Sequence, residues 1–204
     1  MPTLREMIHD DTVTIDAIAG HLDRLTEPDR RALVDGLGRA DQRQLYRKAA
    51  NAAPIDLEHF VPDEIGDRDP VSHLGRNTLP LPPRHRRFRK CFCRPDDDSD
   101  GRLFGYNEAP SRGLLGPGYF VAVPTRDEPA WALRGGVVID YFQVPDGPVA
   151  DGWPDVVPNT RGLQRFVYNG TRDFMRRVSS HVSVGAAYKG EKSLDHYFIL
   201  CRTQ

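Results

Sequence analysis

Four sets of residues in this chain have types and spacings that can do chemistry. The first is an acidic turn, DDDSDGRLFGYNE, at 96–108. Asp96, Asp98, Asp100 and Gly101 form the D-x-D-x-D-G opening of a calcium loop. Alternate carboxylates there converge on a hard cation, and the glycine permits the sharp turn. These three aspartates are the metal candidates, and calcium is the cofactor they imply. The pattern departs at the twelfth position, which is Asn107 where a bidentate Glu belongs, with Glu108 one place late. The competing reading is a solvated hairpin turn whose acids offset the neighbouring basic run.

That run, RHRRFRKCFCR at 84–94, is the second set. Bases interleaved with Phe88 and Phe92 can contact phosphates and stack on nucleobases. An edge strand with a charged outer face fits the same residues, because such charges block aggregation. The third set is Cys91 and Cys93, with Cys201 and His196 or His85 as further zinc ligands. Free cysteines otherwise behave as small buried hydrophobes. The fourth set is Arg165, Arg172, Arg176, His181, Lys189 and Lys192, whose cations can meet on an anion. His181, with Ser180 and an acid such as Asp173, has the makings of a base and nucleophile. No G-x-S-x-G elbow orients them, and Arg–Asp pairs on a solvated helix face are the favoured reading of the same residues. The glycines of GLLGPGYF (113–120) precede a strand and do not match a dinucleotide fingerprint.

These side chains act together only if secondary structure gathers them. The first fifty residues read as short helices. Thr14 caps one with Ile15, Ile18, Leu22 and Leu25 on a single face. Thr26 starts the next, with Pro28 and Asp29 in its first turn, and Asp41 caps a third. Such helices are too short to stand alone in water, so they pack on the rest of the chain or on a second copy as a homo-oligomer. The stretch 14–50 resembles the helical repeats in the N-terminal domain of bacterial magnesium transporters, which also string short helices with Leu pairs and an acidic-Pro cap. The resemblance covers less than a fifth of the chain and implies no function here.

Residues 51–85 are proline-rich with little periodicity and read as a linker. RRFRKCFCR (86–94) alternates, placing Phe88, Lys90 and Phe92 on one face and Arg89, Cys91 and Cys93 on the other. GYFVAVP (118–124), WALRGGVVIDYFQVP (131–145), HVSVGAAY (181–188) and HYFILCR (196–202) also read as strands. Between them, Asn159 or Thr160 is expected to cap a long amphipathic helix over 160–180. Its inner side carries Leu163, Phe166, Val167, Phe174, Met175 and Val178. Its outer side carries Arg165, Arg172 and Arg176.

The chain has 204 residues, 39% of them hydrophobic and 28% charged, with a net charge of −1. That balance hides an asymmetry. Residues 1–70 hold 15 acids against 9 bases, a net of −6, and residues 71–204 hold 14 acids against 19 bases, a net of +5. A net of +5 is a weak footprint for nucleic acid and argues against that partner. No apolar run reaches membrane-spanning length. Three cysteines do not make a disulfide framework, which points to a reducing cytoplasm.

The sequence therefore predicts an α+β protein: a helical region over 1–50, a proline-rich irregular linker over 51–85, and a strand-rich α+β domain over 86–204. In it a mostly antiparallel sheet packs on one long amphipathic helix. The expected function is a non-enzymatic binding or interaction module. Arg165, Arg172, Arg176 and Lys189 would bind an anionic small molecule or protein partner. The alternative is a small enzyme acting on an anionic substrate with His181 as general base.

Overall fold

The computed structural model describes residues 2–80, 82–97 and 101–203. Eight strands dominate it: β1 (Val71–Asn77), β2 (Arg87–Cys93), β3 (Leu103–Glu108), β4 (Phe120–Pro124), β5 (Val137–Asp140), β6 (Thr171–Arg177), β7 (Val182–Lys189) and β8 (Lys192–Arg202). Each pairs antiparallel with its neighbour in sequence, and β8 returns to pair with β1, so the sheet closes into an up-and-down barrel.

This corrects the expected α+β fold. No long amphipathic helix is present among the described residues. Residues 160–180 form a 3-10 turn (Gly162–Phe166), then a turn at Gly170 with φ of 76°, then β6. The apolar residues that matched a helical period divide between these pieces. In β6 the alternation wins: Asp173 and Met175 are buried in the barrel, while Arg172 and Arg176 are on the outer face. The proline-rich stretch 51–85 also supplies β1, one of the two strands that close the sheet.

Inside, Phe92, Leu103, Phe120, Ala122, Ile139, Met175 and Leu200 form a core that plugs one end of the barrel. Three pairs of opposed residues shape it. Phe88 faces Gly75, Phe120 faces Gly105, and Phe198 faces Gly185 across neighbouring strands. Each ring lies over its glycine so closely that a Cβ on Gly185 would sit 2.3 Å from the Phe198 ring. Rings laid over strand glycines fill the space a side chain would take.

Four short helices cover β7, β8 and β1 from outside: α1 (Leu4–His9), α2 (Ile15–Asp23), α3 (Glu27–Asp35) and α4 (Arg39–Lys48). Thr3, Thr14 and Thr26 cap the first three by accepting a hydrogen bond from the third helical N–H. Ile8, Ile18, Leu22 and Leu45 pack on Val182, Val184, Ile199 and Cys201. Asp41 ties α1 to α4, accepting from Arg5 (3.1 Å), His9 (2.8 Å) and the Gly38 N–H (2.8 Å). The β3–β4 connection carries α5 (Arg112–Leu115), and the β4–β5 connection carries α6 (Pro129–Ala132).

At the plugged end two histidines are fully buried. The His73 Nε2 lies 3.0 Å from the Phe60 carbonyl, and neither ring nitrogen of His59 has a hydrogen-bond partner among the described residues. Burial holds His73 down at about 4 and His59 well below the ordinary 6.5, with Arg177 and Arg202 opposing protonation of His59. Both are neutral in the folded state, so stability is intact above 6.5 and is lost as pH falls from 6.5 toward about 4. His73 alone accounts for about 3 kcal/mol at full loss. Urea titrations across this range should show the midpoint falling on acidification, and His59→Phe should lose less than the native chain.

Candidate functional site

Above the plug the barrel holds a cavity of about 200 Å³ that opens at the other end. Its floor is polar. Lys90 of β2 points inward with Phe88 and Phe92, and only 2% of it is exposed. Its register partner Asn107 of β3 accepts a hydrogen bond from Nζ at 2.9 Å. Nζ also donates to the Tyr141 hydroxyl just after β5, and to Asp173 Oδ2 of β6 at 3.4 Å. All three ammonium protons are thus engaged. Asn107 Nδ2 donates to the Gly118 carbonyl at 2.8 Å, and Tyr141 stacks on Tyr168 with ring centres 5.3 Å apart.

Aromatic rings surround the ammonium. Nζ lies 5.0 Å from the ring centres of Phe120, Tyr141 and Phe198, and 5.8 Å from that of Phe88. Ring faces carry partial negative charge, so this cage offsets part of the lost hydration. Burial pulls the Lys90 ammonium down from its usual range and pushes the Asp173 carboxyl up. Each is restrained by the opposite charge of the other. Burial also raises the Tyr141 hydroxyl well above its ordinary value, so it stays protonated. The floor therefore holds an amine and a carboxyl group in mutual contact with no net charge between them, and Asn107 and Tyr141 as neutral hydrogen-bonding groups. The walls are mostly apolar, with Leu79, Leu115, Val167, Leu194 and Phe198, and they also carry Asn77, His85, Ser111, Thr171 and His196.

Of the residues singled out from the sequence, Asp173, His85 and His196 line this cavity and the others lie elsewhere. Arg172 pairs with Asp140 at 3.2 Å on the outer wall, between the rings of Trp131 and Phe142. Arg176 spends its guanidinium on the carbonyls of Arg134, Leu133 and Tyr46. Arg165 lies over the ring of Phe166, and Lys189 ends β7, both at the open end. His181 is in the β6–β7 connection at the plugged end, 3.5 Å from Arg202, and burial with Arg30 and Arg202 lowers its pKa. It is separated from the cavity, and Ser180 hydrogen-bonds Asp23 instead of His181. Asp173 belongs to the cavity floor. Of the acidic turn, Asp96 pairs with Arg68 at 3.4 Å, and Asp98 and Asp100 lie outside the described residues. Cys91, Cys93 and Cys201 are free and buried, each in a different cluster.

Sequence reasoning passed over Asn107, Tyr141 and Asp173 as a group, since only barrel closure brings β2, β3, β5 and β6 to one interior. Lys90 did carry a signal, as a lysine on the apolar face of an alternating strand. A wider groove of about 460 Å³ lies between α3 and β1–β2, beside the Asp35 pairs with Arg76 and Arg87. It holds no buried polar cluster comparable to the barrel floor.

Comparison with known proteins returns nothing: no family model, curated protein or solved structure matches the chain.

Removing one member of the buried pair strands the other. Lys90→Met should cost about 3–5 kcal/mol in chemical denaturation, and adding Asp173→Asn should recover most of that.

Proposed function

We propose that this protein is a non-enzymatic binding module that holds one small, uncharged, ring-sized molecule in its barrel. The observation that carries the reading is a cavity with mostly apolar walls over a floor whose two charges cancel. Small barrels commonly hold one small ligand in this position. A cavity of roughly 150 Å³ accepts benzene, so about 200 Å³ suits a ring with one polar substituent. That substituent would meet Asn107, Tyr141 and Asp173. An anion is disfavoured inside, because Asp173 already neutralises Lys90. General-base catalysis by His181 gains no support, since that side chain is at the far end. The three free thiols fit a reducing cytoplasm. No helix among the described residues is long and apolar enough to cross a membrane.

Phenols, cyclic ketones and aromatic amides, screened by ligand-observed NMR, should include binders, while the matching carboxylates bind more weakly. Ala187→Phe, which fills the cavity, should reduce binding by at least about tenfold. A tighter fit for the carboxylates would refute the uncharged-ligand reading.

A further inference from the structure

The open end of the barrel has a surface unlike the rest of the molecule. Seven large hydrophobic side chains are exposed among the described residues, and five are here. Leu114 of α5 is 72% exposed and Phe166 of the 3-10 turn is 68% exposed. Leu163, Val167 and Phe142 join them, while Leu115 and Val167 also line the cavity. The two segments that carry most of this surface are held together, since Gln164 Oε1 accepts the Gly118 N–H at 3.2 Å. Their exposure is therefore fixed by the fold and is not a frayed end.

Cations outnumber acids at this rim, where Asp155 is exposed and Asp195 of β8 pairs with Arg39 and Arg43. Segments 109–119 and 159–170 contain Arg112, Arg161 and Arg165 and no Asp or Glu. The β1–β2 connection, 78–86, adds Arg84 and Arg86 and again no acid. Lys189 stands beside them, its Cε near Gly170. The acid of the β7–β8 turn, Glu191, is turned to Arg134 at 2.6 Å. Asp146 and Asp151 of the β5–β6 connection pair with Arg102 and Arg68, which flank the plugged end. Arg112 pairs with Glu108 at 3.0 Å.

We propose that this rim docks on an anionic lipid surface, so that the cavity opens onto the bilayer from which its ligand is drawn. The inference rests on the cavity reading above. Exposed apolar side chains interleaved with cations match a headgroup layer, where the apolar groups enter the acyl boundary and the cations meet lipid phosphates and carboxylates. Apart from Val167 at the cavity mouth, the apolar groups stand on α5, the 3-10 turn and the turn after β5 instead of lining a groove, which suits a fluid surface better than a shaped protein partner. A small apolar ring concentrates in bilayers, so the mouth faces its supply.

The test is cosedimentation of the full chain with phosphatidylcholine vesicles, with and without phosphatidylserine, at low and high salt. Ring-ligand binding is measured separately by NMR without vesicles. Binding should require phosphatidylserine and weaken with salt. Arg165→Gln and Lys189→Gln should each lower it about fivefold, and Phe166→Ser with Leu163→Ser about tenfold. Absence of vesicle binding, equal binding to both lipid mixtures, or insensitivity to these substitutions overturns the proposal. So does capture of an acidic protein through the same residues with vesicles left unbound. If vesicles fail while the ring ligand still binds, docking is wrong and the cavity reading stands. If vesicle binding behaves as expected while no ring ligand binds, docking stands and the cavity reading fails.

Discussion

The pairing of β1 with β8 is the constraint on which the rest of this molecule depends. Five residue pairs, from His73 opposite Arg202 to Asn77 opposite Phe198, close the sheet. Open, the sheet would leave two hydrogen-bonding edges and put Lys90 in water. Closed, it has an inside. The helices reinforce this seam from outside. Gln42 donates to the Arg76 carbonyl of β1, Arg39 reaches the Asp195 carbonyl of β8, and Asp35 holds Arg76 and Arg87.

Inside, the polar cluster and the ring-on-glycine pairs set the register together. Strand side chains alternate, so a slip of one residue in β2 would send Lys90 outward and bring Arg89 or Cys91 into the cage. The buried pair contributes little net stability in such a setting, since desolvation consumes most of its attraction. Its effect is to make wrong registers costly. The glycines act from the other side: a ring fits over Gly75, Gly105 or Gly185 and over no larger residue at those positions.

Local features were the legible part of the sequence. Thr14 and Thr26 act as helix caps, and the alternation of Phe88, Lys90 and Phe92 gives the inward face of β2 as built. The stretch 160–180 misled because two turns and a strand happened to space Leu163, Phe166, Val167, Phe174, Met175 and Val178 as a helix would. A helical period of 3.6 and a strand period of 2 coincide over short runs, and Gly170 marked the break. Val71–Asn77 was hidden by the prolines on either side. The site was illegible for a different reason. Its four polar residues come from three strands and the turn after β5, spread over more than eighty positions, and no local pattern connects Lys90 to Asp173.

The covering of β7 and β8 by α1–α4 has a consequence for how the chain comes to be folded. The helices are made first, and the strands they cover are made last. Until synthesis reaches β8, Ile18, Leu22 and Leu45 can pack only within the helices and lack the strand surface they cover. Contacts of this span are slow to form and leave apolar surface open meanwhile. Production of the native protein is therefore set by how long the newborn chain stays out of aggregates, a matter for holding chaperones and for the pace of translation.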